Sequence, residues 1–143
     1  MTKIKENNTC NTNNNNDGNK KRIMIVDDEP DVISVLKIVL EENGFEVNSF
    51  NDPEKALSSF KTGYYDLLLL DIRMPVMDGF KLHAKLKEID CDVKVCFITA
   101  YEIYYNTLKK DYPSFDIGCF IHKPISMTDL IKEVCTQLGI PKE

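Results

Sequence analysis

The sequence predicts an α/β fold, a parallel sheet covered by helices on both faces. Two observations carry that prediction. Short, wholly apolar runs such as Ile23–Val26 and Leu67–Leu70 read as strands buried on both sides, since a half-exposed strand would alternate with polar residues. Between such runs, apolar residues recur at helical spacing, so strand and helix alternate five times in roughly 120 residues.

Taken in order, Ile23–Val26 is the first strand, and Pro30 suits the first turn of a helix whose inward face is Val32, Val35, Leu36, Val39 and Leu40. Asn43-Gly44 ends it. Residues 45–50 form the second strand. Asp52-Pro53, a cap followed by proline, opens a short helix with Ala56, Leu57 and Phe60 inward, stopping at Gly63. Leu67–Leu70 is the third strand, and Asp78-Gly79 starts a helix with Leu82, Leu86 and Ile89 inward. Residues 93–98 make the fourth strand, 101–110 the fourth helix and 117–121 the fifth strand. Ser126, with Asp129 three residues on, caps a last helix that buries Met127, Leu130, Ile131, Val134 and Leu138 before Gly139 and Pro141 stop it.

Composition narrows the function. The chain has 143 residues, enough for one domain, with 43% hydrophobic and 29% charged side chains. Apolar runs reach only four residues, as in Leu67–Leu70, far short of the roughly 20 that span a bilayer. The N-terminus lacks the apolar stretch of a secretory signal, so a soluble cytoplasmic protein with no membrane partner is expected. Residues 1–21 form an Asn-rich tail with eight Asn in the first 20 positions; a stretch this polar cannot bury enough surface to offset ordering, and is expected to be disordered. The folded domain is expected to span 22–143, leaving no room for an output domain after the last helix.

The net charge of −5 is uneven. Residues 1–22 hold five basic and two acidic side chains, residues 23–143 thirteen basic and twenty-one acidic. An acidic body argues against direct DNA binding, which needs clustered Lys and Arg. Five cysteines without a CxxC pair give neither a zinc site nor a disulfide framework. Cys96 and Cys119, inside apolar runs, read as small core residues in a reducing compartment.

The chemistry gathers at the carboxyl ends of the strands, where open α/β sheets bind ligands. Asp27 and Asp28 follow the first strand, Asp71 the third, Thr99 the fourth and Lys123 the fifth. Clustered carboxylates call for a hard cation between them, and Mg²⁺ prefers oxygen ligands. A carboxylate is also a nucleophile that forms an acyl phosphate, while a metal, a Lys and a hydroxyl together neutralise phosphoryl oxygens.

The segments Ile25-Val26-Asp27-Asp28-Glu29-Pro30, Leu70-Asp71-Ile72-Arg73-Met74-Pro75-Val76-Met77-Asp78-Gly79, Phe97-Ile98-Thr99-Ala100 and Lys123-Pro124 carry a resemblance. They resemble the receiver domain of two-component response regulators, over residues 22–140, in a stand-alone form like the chemotaxis regulators. The resemblance implies a flavodoxin-like (βα)5 fold with strand order 2-1-3-4-5. It implies Asp71 as the phosphoacceptor, charged from the phosphohistidine of a sensor histidine kinase or a phosphotransfer protein. Asp28, Asp71 and the backbone carbonyl of Arg73 would bind Mg²⁺ directly and Asp27 through water; Thr99 and Lys123 would hold the phosphoryl group. Thr99 and Phe120 would form the switch, and the Lys123-Pro124 peptide would be cis. A downstream protein would dock on the face of the fourth helix, fifth strand and last helix, around the aromatics Tyr101 to Phe115.

The match departs between Thr99 and Lys123, where the usual Gly-Ala turn is absent and Tyr101, Tyr104, Tyr105, Tyr112 and Phe115 crowd the sequence. Phe120 has no hydroxyl, so a switch there works by ring packing. The resemblance implies no enzyme beyond assistance to its own phosphorylation and dephosphorylation. A haloacid-dehalogenase-like phosphatase is the alternative enzyme, but the position two after Asp71, where its general acid stands, is Arg73. A pseudo-receiver that only binds partners is the third reading. P-loop and dinucleotide sites fail for want of a Gly-rich loop after the first strand. His83 and His122 are assigned packing or surface roles, Met74 and Met77 packing over the site, and Glu29 either helix-start electrostatics or a reach to the metal.

Overall fold

Strands β1 (Arg22–Val26), β2 (Glu46–Phe50), β3 (Leu67–Asp71), β4 (Lys94–Thr99) and β5 (Phe120–His122) lie in the order β2-β1-β3-β4-β5. Every pairing is parallel, the flavodoxin-like arrangement expected. The computed structural model describes residues 20–99 and 119–141. Helices α1 (Pro30–Glu42), α2 (Pro53–Ser59), α3 (Gly79–Ile89) and α4 (Met127–Leu138) are those among the described residues. The helix expected over 101–110 and the aromatic segment Tyr101 to Phe115 lie outside them, as does most of the tail. Of that tail, Lys21 extends the ladder, its carbonyl accepting the Glu46 N–H at 2.9 Å.

The central strands send alternate residues to opposite sides, which is why they are apolar throughout. Ile23, Ile25, Leu67, Leu69, Cys96, Ile98 and Ile121 pack under α1 and α4, whose Leu36, Leu40, Leu130, Ile131 and Val134 complete that layer. Met24, Val26, Leu68, Leu70 and Phe97 face Ala56 of α2 and Leu82 and Leu86 of α3. The caps fall where expected: Asp52 accepts from Glu54 N, Asp78 from Lys81 N and Ser126 from Asp129 N, each satisfying a helix-start amide. Gly139, at φ 70°, closes α4 in the left-handed region that glycine tolerates.

Four expectations change. Val35 is 49% exposed, because one helix–sheet contact covers a stripe narrower than five apolar positions, and Leu36 and Leu40 occupy it. Ile89 is 41% exposed at the final residue of α3, after the chain has begun to turn away at Asp90. Helix α2 stops at Ser59 rather than Gly63, since Phe60 leaves the helix extended and buries its ring against Tyr65, centroids 5.9 Å apart. Cys96 and Cys119 are core residues, but they are also joined as a disulfide. The register explains the pairing: Phe97 of β4 faces Phe120 of β5, and the residues just before each are the two cysteines. Local sequence, with the two cysteines 23 positions apart, carries no sign of it.

Candidate functional site

Asp27 leaves β1 directly after Val26, Asp71 is the last residue of β3, and Thr99 the last of β4; Lys123 follows His122 of β5. The parallel register brings these ends to one edge of the sheet. Asp27, Asp28 and Asp71 each place a carboxylate oxygen within 4.8 Å of the others. Asp27 and Asp71 are buried, Asp28 half-buried.

Lys123 reaches into this cluster. Its Nζ donates to Asp27 Oδ2 at 3.1 Å and to Glu29 Oε1 at 3.1 Å, and stands 3.7 Å from Asp71 Oδ1. The Asp27 carboxylate is itself aimed by the Glu29 N–H, which donates to Oδ1 at 2.9 Å. Thr99 is buried, and its carbonyl accepts the Lys123 N–H at 2.8 Å, tying the two strand ends together. The Lys123-Pro124 peptide is cis, as expected. Arg73 is exposed in the loop two residues beyond Asp71.

One ammonium faces several carboxylates, and the protonation equilibria register the imbalance. Asp71 is pushed up to about 7, first by burial, then by the charge of Asp27, with Asp28 adding to it and Lys123 opposing. Burial raises Asp27 as well, against its hydrogen bonds from Glu29 N–H and Lys123. For Lys123, burial works against the charged form, but hydrogen bonds to Asp27 and Glu29 outweigh it and raise the pKa. The edge therefore has more negative charge than its own cation compensates. An all-oxygen donor set with that surplus fits Mg²⁺, a hard ion that keeps several waters while binding a few carboxylates.

The loop above the site is fixed by Gly79. Its N–H donates to the Ile72 carbonyl at 2.8 Å, and a Cβ there would collide with the backbone of Asp71 and Ile72. Met74 is buried in the core beneath α3 and Met77 packs at its edge. Phe120 stacks on Phe97, centroids 5.6 Å apart, and Phe97 also meets Phe80 at 4.9 Å and His83 at 5.5 Å. His83 thus packs, buried on α3, and burial lowers its pKa to about 4; Lys87 adds to the effect. His122 is exposed beside β5. The contact that sequence reasoning did not place is Glu29 to Lys123. Its signal was a third acid directly after Asp27-Asp28, indistinguishable there from a helix-start charge.

Three clustered carboxylates with a lysine at the strand ends of a 2-1-3-4-5 sheet make a donor set of the class that can take up a phosphoryl group on carboxylate. The response regulator receiver domain family matches residues 23–135, and the chain belongs to it. It is 40% identical over 115 residues to the transcriptional regulatory protein PrrA of Mycobacterium tuberculosis, covering 79% of this chain and 48% of that one. It is 33% identical over 113 residues to the response regulator receiver protein CpdR of Brucella abortus, covering 79% and 92%. Its fold superposes with a TM-score of 0.69 on the response regulator TrrA of Thermotoga maritima in complex with Mg²⁺ and BeF, at 32% identity, covering 82% and 99%. The chain spans about half the length of several curated relatives it matches, PrrA and PcoR among them.

The chain is therefore a receiver domain whose three clustered carboxylates fit a hard divalent cation such as Mg²⁺. Receivers of this family generally exchange phosphoryl groups with histidine kinases or phosphotransfer proteins. No helix among the described residues is long and apolar enough to cross a membrane.

Proposed function

We propose that Asp71 is the phosphoacceptor, that Asp28, Asp71 and the Arg73 carbonyl hold Mg²⁺ with Asp27 acting through water, and that Thr99 and Lys123 hold the phosphoryl oxygens. The observation that carries this reading is the meeting of Asp27, Asp28 and Asp71 within 4.8 Å, with Lys123 Nζ 3.7 Å from Asp71. An Asp71 carboxylate oxygen attacks phosphorus, the P–N bond of the donor phosphohistidine breaks, and the imidazole leaves with the electron pair. Mg²⁺, when bound, offsets charge on the phosphoryl oxygens. Lys123 then exchanges part of its pairing with Asp27 for the phosphoryl group, and Thr99 contributes its hydroxyl.

The signal is read by a partner protein in the cytoplasm, through the face that includes β5 and α4. Phe120 supports that choice: it lies opposite Phe97, two residues before Thr99, across the β4–β5 pair and is stacked on that ring, so a shift at the end of β4 has a ring to displace.

Intact-mass spectrometry tests the assignment. With Mg²⁺ and a small acyl-phosphate donor, the wild type gains one base-labile phosphoryl group and Asp71→Asn gains none, because an amide cannot form the acyl phosphate. A modified Asp71→Asn protein refutes it.

A further inference from the structure

Apart from the carboxylate site, the feature of the molecule with its own chemistry is the cysteine pair between β4 and β5. Both sulfurs are buried, Cys96 at 0% and Cys119 at 4% exposure. Cys96 stands three residues before Thr99, and Cys119 one before Phe120 and four before Lys123. The bridge therefore fastens the two strand ends that the switch and the lysine belong to.

Three observations distinguish this bridge from a structural staple. First, the backbone ladder already holds the pair: Phe97 N–H donates to the Cys119 carbonyl at 2.9 Å, and β4 and β5 pair in register beyond it. The cysteines face each other whether or not the sulfurs are bonded, so the bond opens and closes without rearranging the sheet. Second, the dithiol form has a hydrogen-bond acceptor in place. Glu133 Oε2 of α4 lies 3.4 Å from Cys119 Sγ, and a Cys119 thiol donates to it. Third, the domain has two apolar layers, a core that small disulfide-bonded scaffolds lack. In the cytoplasm, the compartment of the function proposed above on which this inference rests, a disulfide is usually transient and catalytic or redox-sensing.

We infer that Cys96 and Cys119 form a reversible thiol–disulfide site, opened by a dithiol reductant and closed by a disulfide donor, that sets how firmly β5 is held to β4. β5 has three residues and lies at the sheet edge, with only β4 beside it, so local opening there admits a reductant to Cys119. A reductant thiolate attacks Cys119 Sγ, the S–S bond breaks, and Cys96 leaves as a thiolate that takes a proton. The reductant's second thiolate attacks its own sulfur in the mixed disulfide and releases Cys119 as a thiol. Two electrons and two protons pass from the dithiol to the pair, and the reductant leaves as a disulfide. Closure is the reverse, with a small disulfide as the oxidant. In the dithiol form Phe120 and Lys123 are anchored by hydrogen bonds and packing alone.

The test uses the full chain without any phosphodonor, so its outcome is independent of the Asp71 assignment. Folded protein is treated with oxidised glutathione or with dithiothreitol, then alkylated with iodoacetamide in denaturant and weighed. Of the five cysteines, three are modified after oxidation and all five after reduction, with tryptic mapping assigning the linked pair to Cys96 and Cys119. Far-UV circular dichroism is the same for both forms. By amide hydrogen exchange, residues 120–123 exchange at least tenfold faster in the dithiol form, while β1 and β3 keep their rates. Five adducts after oxidation, a different linked pair, loss of the fold on reduction, or a smaller exchange ratio each overturns the proposal. Cys96→Ser and Cys119→Ser, made separately, match the exchange of the dithiol form; the wild-type comparison decides if either fails to fold.

Discussion

Asp71 is raised because burial and the neighbouring Asp27 charge oppose its ionisation, and the sign of that shift determines how pH acts on the metal-free protein. The unfolded carboxyl releases its proton near 3.8, the folded one near 7. Below 3.8 both states are protonated and the full contribution to stability is present. Between the two values the folded state keeps a proton that the unfolded state has lost, so stability falls as pH rises and the contribution is gone above 7. In chelator, urea unfolding of wild type and Asp71→Asn will show the variant's relative stability growing by about 2–3 kcal/mol from pH 5 to pH 8. A constant difference across that range means that Asp71 is not held in the surplus of negative charge described here. At the same scale, Val76 has φ 73° and is 84% exposed, a left-handed conformation that a β-branched residue adopts at a cost. Asn tolerates that region, so Val76→Asn is expected to raise the unfolding free energy by about 1 kcal/mol in denaturant titration.

The β3–α3 connection shows how an element positions the site. Asp71 ends the strand, Asp78 caps the helix, and Gly79 brings the helix start against the Asp71 and Ile72 backbone. That close approach leaves no room for a methyl group. Gly79→Ala must push the start of α3 away from the strand end, and overpacking of this kind costs about 1–3 kcal/mol. The cost is expected as a lower urea midpoint together with slower phosphorylation, because Asp71 moves with its strand. An unchanged midpoint contradicts the contact. The C-terminal helix is bound differently: Ser126 and Gly139 set its ends, and Leu130, Ile131 and Val134 bury its inner face.

For the molecule as a whole, the carboxylate cluster is expected to couple metal binding to folding, because the unfolded chain does not hold Asp27, Asp28 and Asp71 together. Mg²⁺ at about a hundredfold over its Kd adds roughly 2.7 kcal/mol to stability, readable as an upward shift of Tm at pH 8. Asp28→Asn removes one of the three clustered carboxylates, and most of that shift is expected to disappear by calorimetry. A variant that responds to Mg²⁺ as the wild type does places the metal elsewhere. Since protons compete for Asp71, the wild-type shift is also expected to shrink below pH 7.

The sequence by itself determined the alternation of elements, the caps at Asp52, Asp78 and Ser126, and the residues Asp27, Asp28, Asp71, Thr99 and Lys123 at the strand ends. These are local signals: periodicity and turn chemistry act within a few residues, and each site residue ends an apolar run. The tertiary structure alone decided what touches what across strands. It gave Lys123 to Asp27 and Glu29, joined Cys96 to Cys119, stacked Phe120 on Phe97, and left Val35 and Ile89 outside the core. Each of these depends on the register between elements far apart in the chain, or on how wide a stripe a neighbouring layer covers. Both are fixed only when the sheet assembles.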